Sequence, residues 1–491
     1  MAFNIPSNLV APLFAFDVQS GGAFENENRL MLFGHATGSL AAGKISACNS
    51  DIDARTLCGA GSMLESMYLI ARKNAPAQEI WIGHVAEATT AEVRTITVDD
   101  VPASGGQGVL MIDGERIAID IAAGATEAAT ATALAAAINA YYNRFTRKSL
   151  PFTAAAASAV VTLTARHKGT YASRLDIYVP VTDSGNPFTD NLTFATTTAG
   201  AGDPDISDVI AEMGDDPFEM IACPFADAAN RAILEDYLSE VSGNWSYARQ
   251  LYGHAFTVKT DTASNLTTYS LAIDSWHVTT IPRFSNGGNA QADYIWLAAF
   301  VARIAPWFGG GANGDVSRNQ TGLVVEGISA PRDRGYWPAY AQRDAFLKSG
   351  LSTWSVNRNG DVVIDKIITH QQTTNGAPDT TFRDIQRIGQ LTYALRKFRA
   401  DLTAEHANKA LADENPAGLE AITTPKDIRN TLYHSYKAMV GVLENAETAL
   451  ENIDVTRDSD NANRVNVVLP LDFVNALDIF AGLAKVYSQF R

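Results

Sequence analysis

Between Ala88 and Gly202 the chain changes texture: Thr, Ala, Gly and Val dominate, charge becomes sparse, and Gly-, Thr- and Ala-rich linkers close both ends, the second being Thr196-Thr197-Thr198-Ala199-Gly200-Ala201-Gly202. Short apolar strands and capped amphipathic helices alternate on both flanks, which is the rhythm of an α/β layer. A charge-poor, turn-rich block cannot continue that rhythm. Residues 89–202 therefore read as a β-rich domain inserted into a surrounding α/β domain. The 491 residues allow this, since a prior of ~150 residues per domain gives about three.

In the first flank, residues 29–33 form an apolar run stopped by Gly34, Ser62 caps a helix running to about Lys73, and residues 80–82 supply another strand. Inside the block, Asp113-Gly114 supplies the positive φ of a two-residue turn, so 109–112 and 116–121 read as a hairpin. A helix over 126–143 and strands at 159–165, 175–179 and 192–197 follow. Beyond Asp203, helices are expected at 206–213, 227–242 and 292–304, the last ending at Pro306. Strands are expected at 218–222, 255–258, 277–281 and 362–368, then two long amphipathic helices at 382–402 and 425–452. The opening residues hold Pro6 and Pro12 among apolar side chains, which suits an extended arm; 464–470 is a strand stopped by Pro470.

Charge excludes one class of function. With 38 Lys plus Arg against 54 Asp plus Glu the net charge is −16, so sequence-independent nucleic-acid binding is not expected. The N-terminus lacks the basic and apolar regions of a signal peptide, and no window offers the ~18 apolar residues of a membrane span, so no membrane insertion is expected. Cys48, Cys58 and Cys223 lack zinc-site spacing and read as reduced, buried thiols of a protein made in a cytoplasm.

Gly38-Ser39-Leu40-Ala41-Ala42-Gly43-Lys44 has the glycine and lysine spacing of a phosphate loop, but Ile45 stands where a magnesium-binding Ser or Thr is required, and no helix pattern follows. Gly309-Gly310-Gly311-Ala312-Asn313-Gly314 resembles a dinucleotide loop only in glycine count. The carboxylates Asp51 and Asp53, Asp203 and Asp205, and Asp215 and Asp216 read as caps and turns, none completing a calcium loop. The eight histidines are scattered, and Glu405-His406 lacks a second histidine four residues on. No catalytic residue, cofactor or metal is expected, and the reading is of a non-enzyme. The alternative from another class is a soluble cytoplasmic enzyme with a site near the 309–314 loop. Arg383, Arg387, Arg396, Lys397 and Arg399 fall together on the first late helix, either as a solvated face or as a docking face for an acidic partner.

Both chain ends look like strand edges without protective charge, which are templates for pairing with other chains. The residues here resemble a known family. Ile5-Pro6-Ser7-Asn8-Leu9-Val10-Ala11-Pro12, Gly59-Ala60-Gly61-Ser62-Met63-Leu64 with Met67, and Leu163-Thr164-Ala165-Arg166-His167-Lys168-Gly169-Thr170 are similar to segments of the Mu-like phage contractile tail sheath proteins. So are Gly253-His254-Ala255-Phe256-Thr257, Gly376-Ala377-Pro378-Asp379-Thr380, and Asn463-Arg464-Val465-Asn466-Val467-Val468-Leu469-Pro470 with Val474-Asn475. They fall in order over nearly the whole chain, and the match loosens after Asp478.

The resemblance implies a multidomain α/β (α+β) sheath subunit that polymerises as stacked hexameric rings, a helical polymer around a tail tube, and contracts to drive the tube through a host envelope. A tailocin or other phage-derived injection particle would use the same part. Its implied partners are copies of itself, the tail tube, the baseplate and the tail terminator, and its implied place is the virion tail, assembled in the host bacterial cytoplasm. An N-terminal arm (1–28) and an inner domain (346–463) with a C-terminal strand and arm (464–491) would lie against the tube. A middle α/β domain (29–88 with 203–345) would follow, and the inserted domain (89–202) would lie outermost. Ile5, Leu9, Val10, Val465, Val467, Leu469, Val486 and Phe490 would be exchanged between subunits as strands, and Arg383 and Arg387 are candidate tube contacts.

Overall fold

The computed structural model describes residues 28–171, 174–181, 185–310 and 314–486. The first flank builds β1 (Arg29–Gly34), β2 (Ile45–Ala47), α1 (Asp51–Cys58), α2 (Met63–Asn74) and β3 (Glu79–His84). Leu30 to Phe33 are fully buried, so β1 is a central strand covered on both faces, as an unbroken apolar run requires. Ser62 accepts from Glu65 N at 3.1 Å and starts α2 as its sequence predicts. Asp51 and Asp53 lie in the first turn of α1 behind the Ser50 cap, a helix that sequence reading does not separate from the preceding loop.

The inserted unit contains β4 (Ala91–Val98), β5 (Gly106–Ile112), β6 (Glu115–Ile121), α3 (Glu127–Ala140), β7 (Phe152–Ala157), β8 (Val160–Lys168), β9 (Ile177–Tyr178) and β10 (Leu192–Thr198). They form one sheet of order β10-β4-β8-β7 and another of order β6-β5-β9. The β5–β6 turn is the expected one, with φ of 53° at Asp113 and 78° at Gly114. Strands β4 and β7 are additional to those expected. The alternation of β7 is hidden because it is Phe-Thr followed by four alanines.

After the insert come α4 (Ser207–Met213), β11 (Met220–Ala222), α5 (Ala228–Leu238), β12 (His254–Asp261), α6 (Ala263–Leu271), β13 (Val278–Phe284) and α7 (Asp293–Phe308). Strands from both flanks make one sheet of order β13-β12-β11-β1-β3-β2, parallel except for β2. Helix α7 is apolar nearly all round and lies in the core, as such a helix must. It runs through Pro306 instead of stopping there. The donor missing in its last turn is offset by burial of Phe308.

The remainder supplies α8 (Tyr340–Lys348), β14 (Thr353–Val356), β15 (Val362–Lys366), the two-residue strands β16 (Thr373–Thr374) and β17 (Ala377–Pro378), α9 (Ile385–His406), and β18 (Ala410–Leu411) with β19 (Ile422–Thr423). Helices α10 (Pro425–Ala438) and α11 (Ala446–Asn452) and the strands β20 (Asp454–Arg457) and β21 (Val465–Val468) complete it. Phe346, Leu351, Trp354, Val362, Ile364 and Ile367 join the core of the central sheet. A second core gathers Val316, Tyr393, Phe398, Leu432, Tyr436, Val442, Leu443, Ile453 and Phe473. Helix α9 belongs to both, its Ile385 and Ile388 facing the first core and Tyr393, Ala394 and Phe398 the second. The single helix expected over 425–452 is two, because Gly441 (φ 89°) and Asn445 (φ 57°) are left-handed and turn the chain between them.

Candidate functional site: the C-terminal hairpin and arm

The break between α10 and α11 builds a receptor for the end of the chain. Glu444 N donates to Asp472 O at 2.8 Å and Val474 N to Val442 O at 3.1 Å, with Leu443 bridging Phe473. Asp472 N donates to the Tyr436 hydroxyl at 3.0 Å, and Asn445 Nδ2 donates to the Asp472 carboxylate at 2.6 Å. Phe473 drops into the second core. Gln390 Nε2 then donates to Val474 O at 2.8 Å, Arg387 to Asn475 Oδ1 at 2.9 Å, and Asn319 Nδ2 to Leu477 O at 2.8 Å. The Lys366 ammonium pairs with Asp478 and, at 3.0 Å, with Asp384. Residues 472–478 are thus tied to the body at every position but 476.

Past Asp478 the anchoring stops. Ile479, Phe480, Leu483 and Val486 are 81%, 88%, 85% and 93% exposed. Covering four such side chains is worth roughly 6–12 kcal/mol before the cost of ordering the chain. Just before the anchored stretch, β20 and β21 make a two-stranded antiparallel sheet with Asp454 opposite Val468, Val455 opposite Val467 and Arg457 opposite Val465. Among the described residues, nothing pairs with the outer edge of either strand. A two-stranded ribbon with open edges is a platform for added strands.

The expected exchange residues separate into four groups. Val465 and Val467, anticipated as strands given to another copy, are paired at home with Arg457 and Val455. Leu469 packs half-buried against the second core. Val486 lies on the uncovered arm, while Ile5, Leu9, Val10 and Phe490 fall outside the described residues. The basic cluster is also redistributed. Arg383 precedes α9 instead of lying on it and donates to Leu347 O. Arg387 stacks over the Phe473 ring at 4.8 Å, and the desolvation there lowers its pKa. Arg396 makes a 2.6 Å ion pair with buried Glu219, Lys397 pairs with Asp401 at 2.5 Å, and Arg399 is exposed. Most of this charge holds the fold together.

Sequence reading missed the 439–445 turn and the anchors Asn319, Lys366, Gln390 and Tyr436. Only Gly441, interrupting an amphipathic run, hinted at the turn.

The excluded sites are filled by ordinary structure. Lys44 pairs with Glu212 at 2.7 Å, and the residues after it form β2 instead of a helix. A Cβ at Gly309 would meet Asn28 at 2.7 Å and one at Gly314 would meet the Gly441 carbonyl at 3.1 Å, so both ends of that loop pack against the body. Among the described residues no group of three or more His, Cys, Asp or Glu is placed to hold a metal ion, and no helix is long and apolar enough to cross a membrane. The three cysteines are buried, and burial pushes Cys48 and Cys223 up to about 12.

A family model described as the phage tail sheath protein central domain matches residues 199–370, beginning at the linker that closes the insert. Over 493 residues the chain is 26% identical to the Mu-like prophage FluMu tail sheath protein of Haemophilus influenzae, covering 97% of both. In fold it is similar to the crystal structure of the sheath tail protein from Desulfitobacterium hafniense, with TM-score 0.50, 15% identity, and coverage of 95% of this chain and 97% of that one. The helical sheath of the anti-feeding prophage in its contracted state gives TM-score 0.47 at 12% identity, covering 99% and 100%. The match to the tail sheath central domain thus takes in β11, β12 and β13 of the central sheet, and a Mu-like tail sheath relative is similar to the chain over nearly its whole length.

Proposed function

We propose that this chain is the repeating subunit of a contractile tail sheath, stacked as hexameric rings around a tail tube and shortening to drive that tube through a host envelope. The observation that carries the reading is the C-terminal end: a strand ribbon with open edges beside an arm fixed up to Asp478 and apolar beyond it. In the polymer, the 479–486 arm of one copy and the N-terminal segment with Ile5, Leu9 and Val10 add to the β20–β21 ribbon of neighbours. Main-chain hydrogen bonds then link bodies whose mutual packing is free to change. Val465 and Val467 act as the acceptor of the exchange, and Val486 and Phe490 as part of the donated arm.

Such a device stores its energy when it assembles. A difference of ~2–3 kcal/mol per subunit between two packings, summed over many rings, gives hundreds of kcal/mol without nucleotide hydrolysis. The inner part, residues 346–463 with both chain ends, faces the tube; residues 29–88 and 203–345 lie further out, and 89–202 lie outermost. Arg383 and Arg387 are the tube contacts, and baseplate and terminator proteins close the two ends of the polymer in the virion tail.

Electron microscopy of the concentrated, purified protein tests this. Hollow tubes with six-fold cross-section are expected, and uniformly monomeric particles at every concentration and salt would overturn it. Charge reversal at Arg383 and Arg387 is expected to abolish docking on the tube, with the melting midpoint as control because both side chains also donate within the chain.

A further inference from the structure

The insert meets α1 and α2 at a concave face lined with exposed aromatic and basic side chains. A cavity of about 390 Å³ is lined by Leu69, Ile70, Lys73, Phe145 and Arg147 among others, and one of about 160 Å³ by Ile52, Arg55, Tyr142 and Arg147. The Arg147–Asp51 ion pair, 2.8 Å, stands between them and lines both. Phe145 on its rim is 98% exposed and Ile52 74%.

The loop that presents Phe145 is held in one shape. Asn143 N donates to Lys148 O at 3.0 Å, and Asn143 Oδ1 accepts from Phe145 N at 2.9 Å and Thr146 N at 3.2 Å. Asn143 Nδ2 and the Tyr141 hydroxyl both donate to Glu115, at 2.7 and 2.6 Å, and Arg147 takes a left-handed φ of 59°. Holding a full phenyl ring in water on a hydrogen-bonded loop is unfavourable unless something covers it, and preorganisation of this kind lowers the cost of binding. Arg55, Lys73, Arg144 and Arg147 are exposed around it, and Arg55 lies 4.8 Å over the Tyr142 ring. Three acids line the two cavities and are engaged within the chain: Asp51 and Glu65 pair with Arg147 and Arg55, and Glu115 accepts from Tyr141 and Asn143. Aromatic rings and arginine around a concavity form the composition of interface hot spots.

We infer that this face docks an acidic segment of a second copy of the chain, Phe145 and Tyr142 taking its apolar contacts and Lys73, Arg144 and Arg147 its carboxylates. Charge complementarity selects that occupant: a chain of net charge −16 concentrates cations here, so the rest of another copy's surface is the matching sign. The inference rests on the polymer reading only in that copies must meet at high local concentration. It involves neither the arm nor the ribbon.

The test places a photoreactive p-benzoylphenylalanine at position 145 of the full chain and maps the cross-linked peptides by mass spectrometry. It also measures self-association of Phe145→Ala and of Lys73→Glu/Arg144→Glu, with melting midpoints as a folding control. The expected result is an intermolecular cross-link to an Asp/Glu-rich peptide of the same sequence, and self-association weakened at least about tenfold in both variants. Self-association at wild-type strength without the cross-link overturns it, as does a photoprobe at position 145 that reacts only with anionic phosphatidylglycerol vesicles. If no tubes form but the cross-link persists, the sheath reading falls and the docking face stands. If tubes form equally well in all variants without the cross-link, the docking face falls alone.

Discussion

Glu219 shows how charge is used inside this molecule. Its carboxylate, 1% exposed, receives Arg396 at 2.6 Å and the β1 amide of Arg29 at 2.6 Å, tying the central sheet to α9. Burial raises its pKa against the pull of Arg396. Removing one partner of such a pair leaves an uncompensated buried charge, so Arg396→Ala is expected to cost about 3–5 kcal/mol in denaturant unfolding. Replacing both partners by apolar residues should cost less than that single change. Three buried histidines make a second residue-scale prediction. Burial, then the neighbouring His167, lowers His35 from 6.5 to about 4; burial brings His370 to about 3 and holds His254 well below its usual range. The unfolded chain therefore binds more protons than the folded one between about pH 6.5 and 4, and stability falls as pH is lowered through that window. His35 alone accounts for up to about 3 kcal/mol. Melting midpoints from pH 7 to 4 should decline, and His35→Asn should flatten the decline; a pH-independent midpoint would contradict the assignment.

At the scale of elements, the 439–445 turn decides where the chain ends up. Gly441 is left-handed and faces Gly314, where an added Cβ would meet the Gly314 Cα at 3.3 Å. Gly441→Ala is expected to destabilise the second core by about 1–2 kcal/mol. Hydrogen exchange should rise at 472–478, whose bonds run to Val442 and Glu444, while the amides of β11 and β12 stay protected. Equal exchange at 472–478 in both proteins would show that the turn does not hold the arm.

For the whole molecule, the division at Asp478 predicts two different truncations. Ending the chain after Asp478 removes the exposed residues 479–486 together with 487–491, and should leave the melting midpoint within about 1 °C while abolishing polymer growth. Deleting 464–491 also removes β21 and Phe473, so the second core should unfold at lower temperature while the central sheet and insert stay folded. Normal polymers from the shorter truncation, seen by sedimentation or electron microscopy, would refute exchange through the arm.

The sequence by itself determined the Asp113-Gly114 hairpin, the buried β1 and the capped α2, because hydrophobic periodicity, turn chemistry and caps act over a few residues. It also carried the family resemblance, since short collinear motifs survive where overall identity is low. Tertiary structure alone decided that Pro306 stays inside α7, that the run from 425 to 452 breaks at Gly441, and that Arg387 and Arg396 turn inward to Asn475 and Glu219. Each of those outcomes depends on what lies across the fold, a burial gain or a distant partner worth more than the local preference it overrides. A linear pattern does not contain that information.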